Sequence, residues 1–246
     1  MTPRVVAFVH GELGRHALSV LGDRVVAAVI GKGCDLRHGP FVDTPAKWAW
    51  IDDDDPQLEA MIADLNPTHG VSAGFRSIIR PRIINRFRYG IANFHTSYLP
   101  LGRGANPNAW AIFADQEAGV TMHLIDEGVD TGPILGQIRV EKFGHDTAKT
   151  LWERLQIEAK RLISDLLPAW IEKPDEIRPV AQPVCHVPTR RKKDLEELSI
   201  RGDATYHGWE LMNILRARTF PPYQGALYTA PDGKRYRVTI VIQPDA

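Results

Sequence analysis

Apolar positions along this chain fall into short runs separated by stretches of helical spacing, and that alternation sets the expected architecture. Residues 4–9 (RVVAFV) form one run rich in β-branched side chains, residues 12–21 repeat apolar positions at helical spacing, and residues 25–30 (VVAAVI) form a second run. Strand, helix and strand at this spacing predict a βαβ unit, whose strands are parallel because the helix carries the chain back across one face of the sheet. The same alternation continues with a helix over 57–65, a strand over 68–73, a run ending in Asn93-Phe94-His95, and a helix over 109–114. A further apolar run follows before the loop that begins at Asp126, then a strand over 135–140. From 147 to 171, Leu151, Leu155, Ile157, Leu162 and Leu166 lay an apolar stripe along one long helix. The expected fold class is α/β, with a doubly wound, mostly parallel sheet of Rossmann-like type.

The pattern changes at Lys173-Pro174 and again across 178–188, where prolines recur and a regular helix is excluded. Beyond this connector, a helix is expected over 206–218, and strands over 226–229 and 235–242 joined by a Pro231-Asp232-Gly233 turn. The expected organisation is a main domain over 1–188 and a small C-terminal α+β subdomain over 189–246. At 246 residues the chain is ample for a real core.

Composition narrows the function classes. Lysine and arginine balance aspartate and glutamate at 30 each, so nothing demands a polyanionic partner, and no nucleic-acid partner is expected. Arg190-Arg191-Lys192-Lys193 is answered at once by Asp194, Glu196 and Glu197, which reads as solvated charge, with a diphosphate contact as the alternative. Cys34 and Cys185 stand far apart with no CxxC spacing, which argues against a disulfide scaffold or structural zinc and fits a reducing compartment. The first apolar run is broken by His10 and Gly11, too short for a secretory or membrane-spanning segment, so a cytoplasmic protein without a membrane partner is expected. His10-Gly11-Glu12-Leu13-Gly14 lacks the full GxGxxG pattern and reads as a plain turn. The acids at 52–55 precede a helix, whose dipole they oppose, and are not taken as a metal site.

Side chains able to do chemistry gather in residues 90–134, GIANFHTSYLPLGRGANPNAWAIFADQEAGVTMHLIDEGVDTGPI. In a strand, Asn93 and His95 point to one face while Phe94 turns into the opposite layer. A calcium loop from Asp126 fails, because its sixth position is Thr131 instead of glycine and its twelfth is Gln137. A zinc site from His95, His123 and Asp126 or Asp130 lacks an HExxH motif and a cysteine set, so no metal is expected. His123 shares a strand face with Thr121 and Ile125 and reads as a packed histidine or one that supports a neighbour.

The order N-x-H, LPxxRGxxP and GVTxHxxDxGxDTGxI resembles the folate-dependent formyltransferases, which pass a formyl group from 10-formyltetrahydrofolate to an amine. The likeness is dense over 73–137 and weak over most of the first half. GANPNAW, the Asp126 loop and the tail segment RARTFPPYQGALY are most similar to the branch acting on nucleotide-linked amino sugars. That implies a dTDP-4-amino-4,6-dideoxyhexose as acceptor, of the kind that relatives supply to surface polysaccharides. The residue chemistry suits the reaction. His95 can take the proton from the attacking amine, Asn93 can donate to the oxygen that becomes anionic, and Asp130 can orient the imidazole and stabilise its charged form.

For the folate, the resemblance implies Gly74, Phe75 and Arg76, with Ile125, Asp126, Gly128 and Asp130. For the sugar nucleotide it implies Arg103, Gly104, Asn106, Asn108, Arg218 and Tyr223. Local structure offers alternatives for several of these. Asn106 with Pro107 suits a helix N-cap, Arg76 suits an exposed turn, and Tyr223 suits a buried seam. The family commonly dimerises, so a homodimer is among the expected partners. Rival activities are formylation of a ribonucleotide or an aminoacyl-tRNA, hydrolysis of the formyl folate, and a binding module without catalysis.

Overall fold

In the computed structural model of the chain, residues 2–36 and 49–245 are described. The first half builds β1 (Val5–Val9), α1 (Gly11–Leu21), β2 (Val25–Ile30), β3 (Ala49–Asp52), α2 (Leu58–Leu65), β4 (His69–Ala73), α3 (Pro81–Ile84) and β5 (Ile91–His95). Then come α4 (Pro107–Phe113), β6 (Ala118–Leu124), β7 (Ile134–Val140) and α5 (Ala148–Glu172). The tail adds α6 (Lys192–Glu196), β8 (Ser199–Arg201), α7 (Gly208–Arg218), β9 (Ala226–Thr229) and β10 (Arg235–Val238).

Among the described residues β1 to β7 form one sheet in the order β3-β2-β1-β4-β5-β6-β7. β1 pairs parallel with both β2 and β4, β2 with β3 and β4 with β5, whereas β5 and β6 run antiparallel. This is the expected doubly wound, mostly parallel α/β sheet. Every residue of β1 and β4 is buried, as strands covered on both faces must be. Strand order reverses between β1 and β4, so their carboxyl ends, at His10 and Gly74, mark the place where open α/β sheets receive ligands. The tail strands form a second sheet, β10-β9-β8.

The chain divides into two compact units that interleave along the sequence. One comprises Met1–His95, Thr121–Ile138 and Glu158–Pro183, and the other Thr96–Val120, Arg139–Ile157 and Val184–Ala246. In the first, Phe8 meets Phe75 and Phe87 edge-on at centroid distances of 5.5 and 6.1 Å, within a core that includes Val29, Ile62 and Ile91. Burying Phe8 and Phe87 contributes about 1.5–3 kcal/mol each, and the partly buried Phe75 less. In the second, Ile200, Ile214 and Ala226 are joined by Phe113 and Leu211.

Several elements differ from the sequence expectation. The helix expected over 109–114 begins at Pro107, which supplies its first-turn φ without needing an N–H partner. The last strand ends at Val238, short of 242. β3 and β8, of four and three residues, are too short for a period-two pattern to stand out.

Candidate active site

Register across one antiparallel pair assembles the site. β5 and β6 set Asn93 opposite His123 and His95 opposite Thr121, while Phe94 is 5% exposed, opposite Met122. Because side chains alternate, this register brings an amide and two imidazoles to one face. His123 is 1% exposed, and its Nδ1 lies 2.8 Å from the carbonyl oxygen of Leu124. A carbonyl only accepts, so Nδ1 carries the proton and the Nε2 of the neutral ring is an acceptor. Asn93 Nδ2 stands 3.1 Å from that Nε2, which fixes the orientation of the amide.

The Asp126 loop brings the carboxylate. Asp130 Oδ2 lies 3.6 Å from His95 Nε2, and Oδ1 lies 3.6 Å from His123 Nε2. These are ion-pair separations when a ring is protonated, longer than good hydrogen bonds. The four side chains form one cluster on the first unit, with His95 and Asp130 only 12% and 15% exposed at their side chains. Asp130 adopts φ 54°, the left-handed region. Asp126 braces the loop, its Oδ1 accepting from the Gly128 N–H at 3.1 Å and from the Thr131 hydroxyl at 2.6 Å.

The other expected folate residues stand at strand ends. Ile125 donates its N–H to Ile91 O at 2.8 Å and, like Phe75, packs against the first core. Gly74 follows β4 at φ 69°, and a Cβ there would stand 2.5 Å from the His10 carbonyl oxygen, so only glycine lets β4 close against β1. Arg76 is exposed. Burial, then the nearby Arg76 charge, lowers the His10 pKa. A planar pterin needs apolar faces together with polar edges. Ile125 and Phe75 supply the first, and the exposed backbone and carboxylates of the Asp126 loop supply the second, so the residues present fit it.

The expected sugar-nucleotide residues belong to the second unit. Arg103 O accepts from Arg190 N at 3.0 Å and Arg190 O from Ala105 N at 2.8 Å, so the chain at Arg190, just past the connector, runs against the glycine loop. Gly104, at φ 87°, has room for no side chain, since its Cβ would lie 2.1 Å from Arg190 O. Asn106 occupies the N-cap position of α4 in a left-handed conformation (φ 57°) and makes no side-chain cap bond. The capping expected of it is thereby corrected, because a side-chain cap requires extended backbone. Asn108 is buried and donates to Ala148 O at 2.7 Å. Arg218 donates to Leu195 O at 2.8 Å and Gly225 O at 3.3 Å. Tyr223 is 71% exposed and leans on Phe220 at 5.5 Å, so the buried seam expected as its alternative role does not form around its ring.

The role of His123 was the functional feature that sequence reasoning left undecided. Its partner is a backbone carbonyl, and its position opposite Asn93 follows from the β5–β6 register, which no side-chain pattern displays. Among the described residues, no group of three or more metal-binding side chains is arranged around a common point. No described helix is long and apolar enough to cross a membrane.

A family model described as formyl transferase matches residues 18–167. The chain belongs to the formyl transferase family. A second model, the N-formyltransferase dimerization C-terminal domain, matches residues 194–244 of this family member. It is 36% identical over 187 residues to the methionyl-tRNA formyltransferase of Myxococcus xanthus, covering 74% of this chain but only 57% of that protein. The fold is similar to that of a sugar N-formyltransferase from a Shewanella species, with a TM-score of 0.81, 20% identity and full coverage of both chains. It also resembles the formyltransferase PseJ of Anoxybacillus kamchatkensis, with a TM-score of 0.58 and 26% identity, covering 87% of this chain and 98% of that one. PseJ was solved with UDP-4,6-dideoxy-4-formamido-L-AltNAc and tetrahydrofolate.

Proposed function

We propose that this formyl transferase family member moves a formyl group from 10-formyltetrahydrofolate to the amine of a nucleotide-linked amino sugar, a dTDP-4-amino-4,6-dideoxyhexose. The observation that carries the chemistry is the cluster of Asn93, His95, His123 and Asp130. His123 accepts one proton of the Asn93 amide and so aims the amide. The second amide proton is the donor we assign to the oxygen that gains charge as the amine attacks. His95 takes the proton from the attacking nitrogen and gives it to N10 of the folate as the C–N10 bond breaks and tetrahydrofolate leaves, while Asp130 holds the ring and stabilises its charged form. The formyl donor is assigned to Gly74, Phe75, Arg76, Ile125, Asp126, Gly128 and Asp130.

The acceptor class is supported by the tail. The matched N-formyltransferase C-terminal model and full-length likeness to a sugar N-formyltransferase accompany the FPPYQG segment. We assign the nucleotide sugar to Arg103, Gly104, Asn106, Asn108, Arg218 and Tyr223. We further propose a catalytic domain over 1–188, an α+β subdomain over 189–246, a homodimer, and a place in surface polysaccharide synthesis. The free cysteines Cys34 and Cys185 support a cytoplasmic location. The likeness to methionyl-tRNA formyltransferase favours a second reading, an aminoacyl-tRNA acceptor.

A transfer assay separates them. The protein is mixed with 10-formyltetrahydrofolate and a panel of dTDP-, UDP- and GDP-linked amino sugars or aminoacyl-tRNA, and product is followed by mass. Formylated sugar is expected. Formylated methionyl-tRNA alone would overturn the acceptor class, and release of formate without any acceptor product would overturn transfer. His95→Ala should abolish transfer while nucleotide-sugar binding stays near normal. Loss of both would make His95 structural.

A further inference from the structure

We infer that Gln182 is the positioning residue of the site, its side-chain amide setting where the Asp130 carboxylate stands between His95 and His123. The inference rests on the catalytic reading of that cluster. Gln182 lies in the connector, between the segments matched by family models, 18–167 and 194–244. Its Nε2 donates to Asp130 O at 2.9 Å and to Gly132 O at 2.7 Å. The amide has two protons, and the two carbonyls flank Thr131, so one side chain forks across the turn.

Each neighbouring feature makes that fork consequential. Asp130 is held at φ 54°, a left-handed conformation uncommon outside glycine and, among other residues, taken most readily by Asn and Asp with local hydrogen bonds. Gly132 is pressed so close to the end of β6 that a Cβ would lie 1.9 Å from Leu124 O. Thr131 is tied to Asp126 Oδ1 at 2.6 Å. Gln182 is itself anchored two residues earlier, where Val180 and Ile134 exchange N–H to carbonyl bonds of 2.7 and 2.8 Å. The loop is therefore gripped from Asp126 on one side and from Gln182 on the other. Only the second grip takes hold of the Asp130 backbone. Asp130 Oδ2 stands 3.6 Å from His95 Nε2 and Oδ1 equally far from His123 Nε2, so a displacement of about 1 Å would uncouple the His95 pair and change the surroundings of both rings, a change of a size that can cost about 10²-fold in rate.

The test uses Gln182→Met, which keeps the length of the side chain and removes both donors. The first readout is the carbon–proton spectrum of ring-labelled histidine in the full chain, assigned by single-histidine variants, with Asp130→Asn as reference. In Gln182→Met the His95 and His123 signals should move toward their Asp130→Asn positions while the signals of the other histidines stay. Unmoved His95 and His123 signals, or a general shift of all histidines, overturn the inference. If Gln182→Met does not fold, Gln182→Ala, whose gap admits water to both carbonyls, is read the same way. Failure of both to fold makes Gln182 structural and also overturns it.

The second readout is kinetic. On an acceptor that the wild type formylates, Gln182→Met should lower kcat roughly 10–100-fold, with each KM within about threefold. The double variant with Asp130→Asn should be no slower than Asp130→Asn alone within about twofold, because one residue acts through the other. Additive losses overturn the inference. A wild type that formylates no acceptor sinks the transfer reading instead, and the histidine spectra still decide the role of Gln182.

Discussion

The two ends of the Asn93 amide are told apart by what they meet, and His123 decides between them. Replacing Asn93 by Ala should lower kcat by about 10²–10³-fold with a much smaller change in KM, measurable by steady-state transfer kinetics. A comparable change in KM would mean that the amide serves binding and not the reacting oxygen. Strand alternation put Asn93 and His95 on one face, and the formyltransferase resemblance joined Asp130 to them; the structure brings the three together. The part played by His123 was not legible, since the Leu124 carbonyl that selects its tautomer is a backbone atom no side-chain pattern displays. His69 makes a separate, pH-dependent contribution. Its ring is buried, stacks on Tyr89 at 4.7 Å and meets Trp170 edge-on at 4.8 Å. Burial lowers its pKa from 6.5 to about 4. The unfolded chain therefore takes up the proton first, so the stability is fully present above the unfolded value and is lost as pH falls through the window between the two. The loss amounts to roughly 3 kcal/mol at about 1.36 kcal/mol per pH unit. Thermal unfolding of wild type should decline across that window, and His69→Phe should flatten the decline. An unchanged slope in the variant would assign the effect to other groups.

At the scale of elements, the loop before α4 separates structural from binding roles. Asn106 sits in left-handed backbone without capping the helix, so Asn106→Gly should leave stability within about 1 kcal/mol of wild type, the relief of that conformation offsetting the greater freedom of the unfolded chain. If transfer then fails in a variant of undiminished melting temperature, the side chain meets substrate. If transfer survives, Asn106 is not a binding residue. Gly104→Ala should destabilise by about 1–3 kcal/mol, because the added methyl collides with Arg190 O in backbone that already disfavours it. A melting temperature equal to wild type would show that the chain at Arg190 gives way. Helix existence was well marked in the sequence by apolar spacing, as in α1 and α5. The cap at Asn106 misled because an Asn-Pro pair has the same letters whether its backbone is extended or left-handed.

At the scale of the molecule, the parallel part of the sheet was legible because β1 and β2 read as unbroken apolar runs flanking a helix. The antiparallel β5–β6 pair, on which the site depends, was not, since alternation within a strand says nothing about the direction of its neighbour. The matched dimerization domain leads us to expect twice the mass of one chain in sedimentation equilibrium. A single-chain mass at concentrations well above those of the assay would remove the homodimer. The interleaving of the two units bears on how such proteins diversify. Val184–Ala246 shares its unit with Thr96–Val120 and Arg139–Ile157, and within it Arg216 of α7 reaches back to the carbonyls of Phe143 and Asp146. The C-terminal stretch is thus no cassette: joining it to the front of a relative would pair halves of a unit that had never been fitted to each other. A new acceptor is more readily reached by scattered substitutions along the whole chain than by recombination at one crossover.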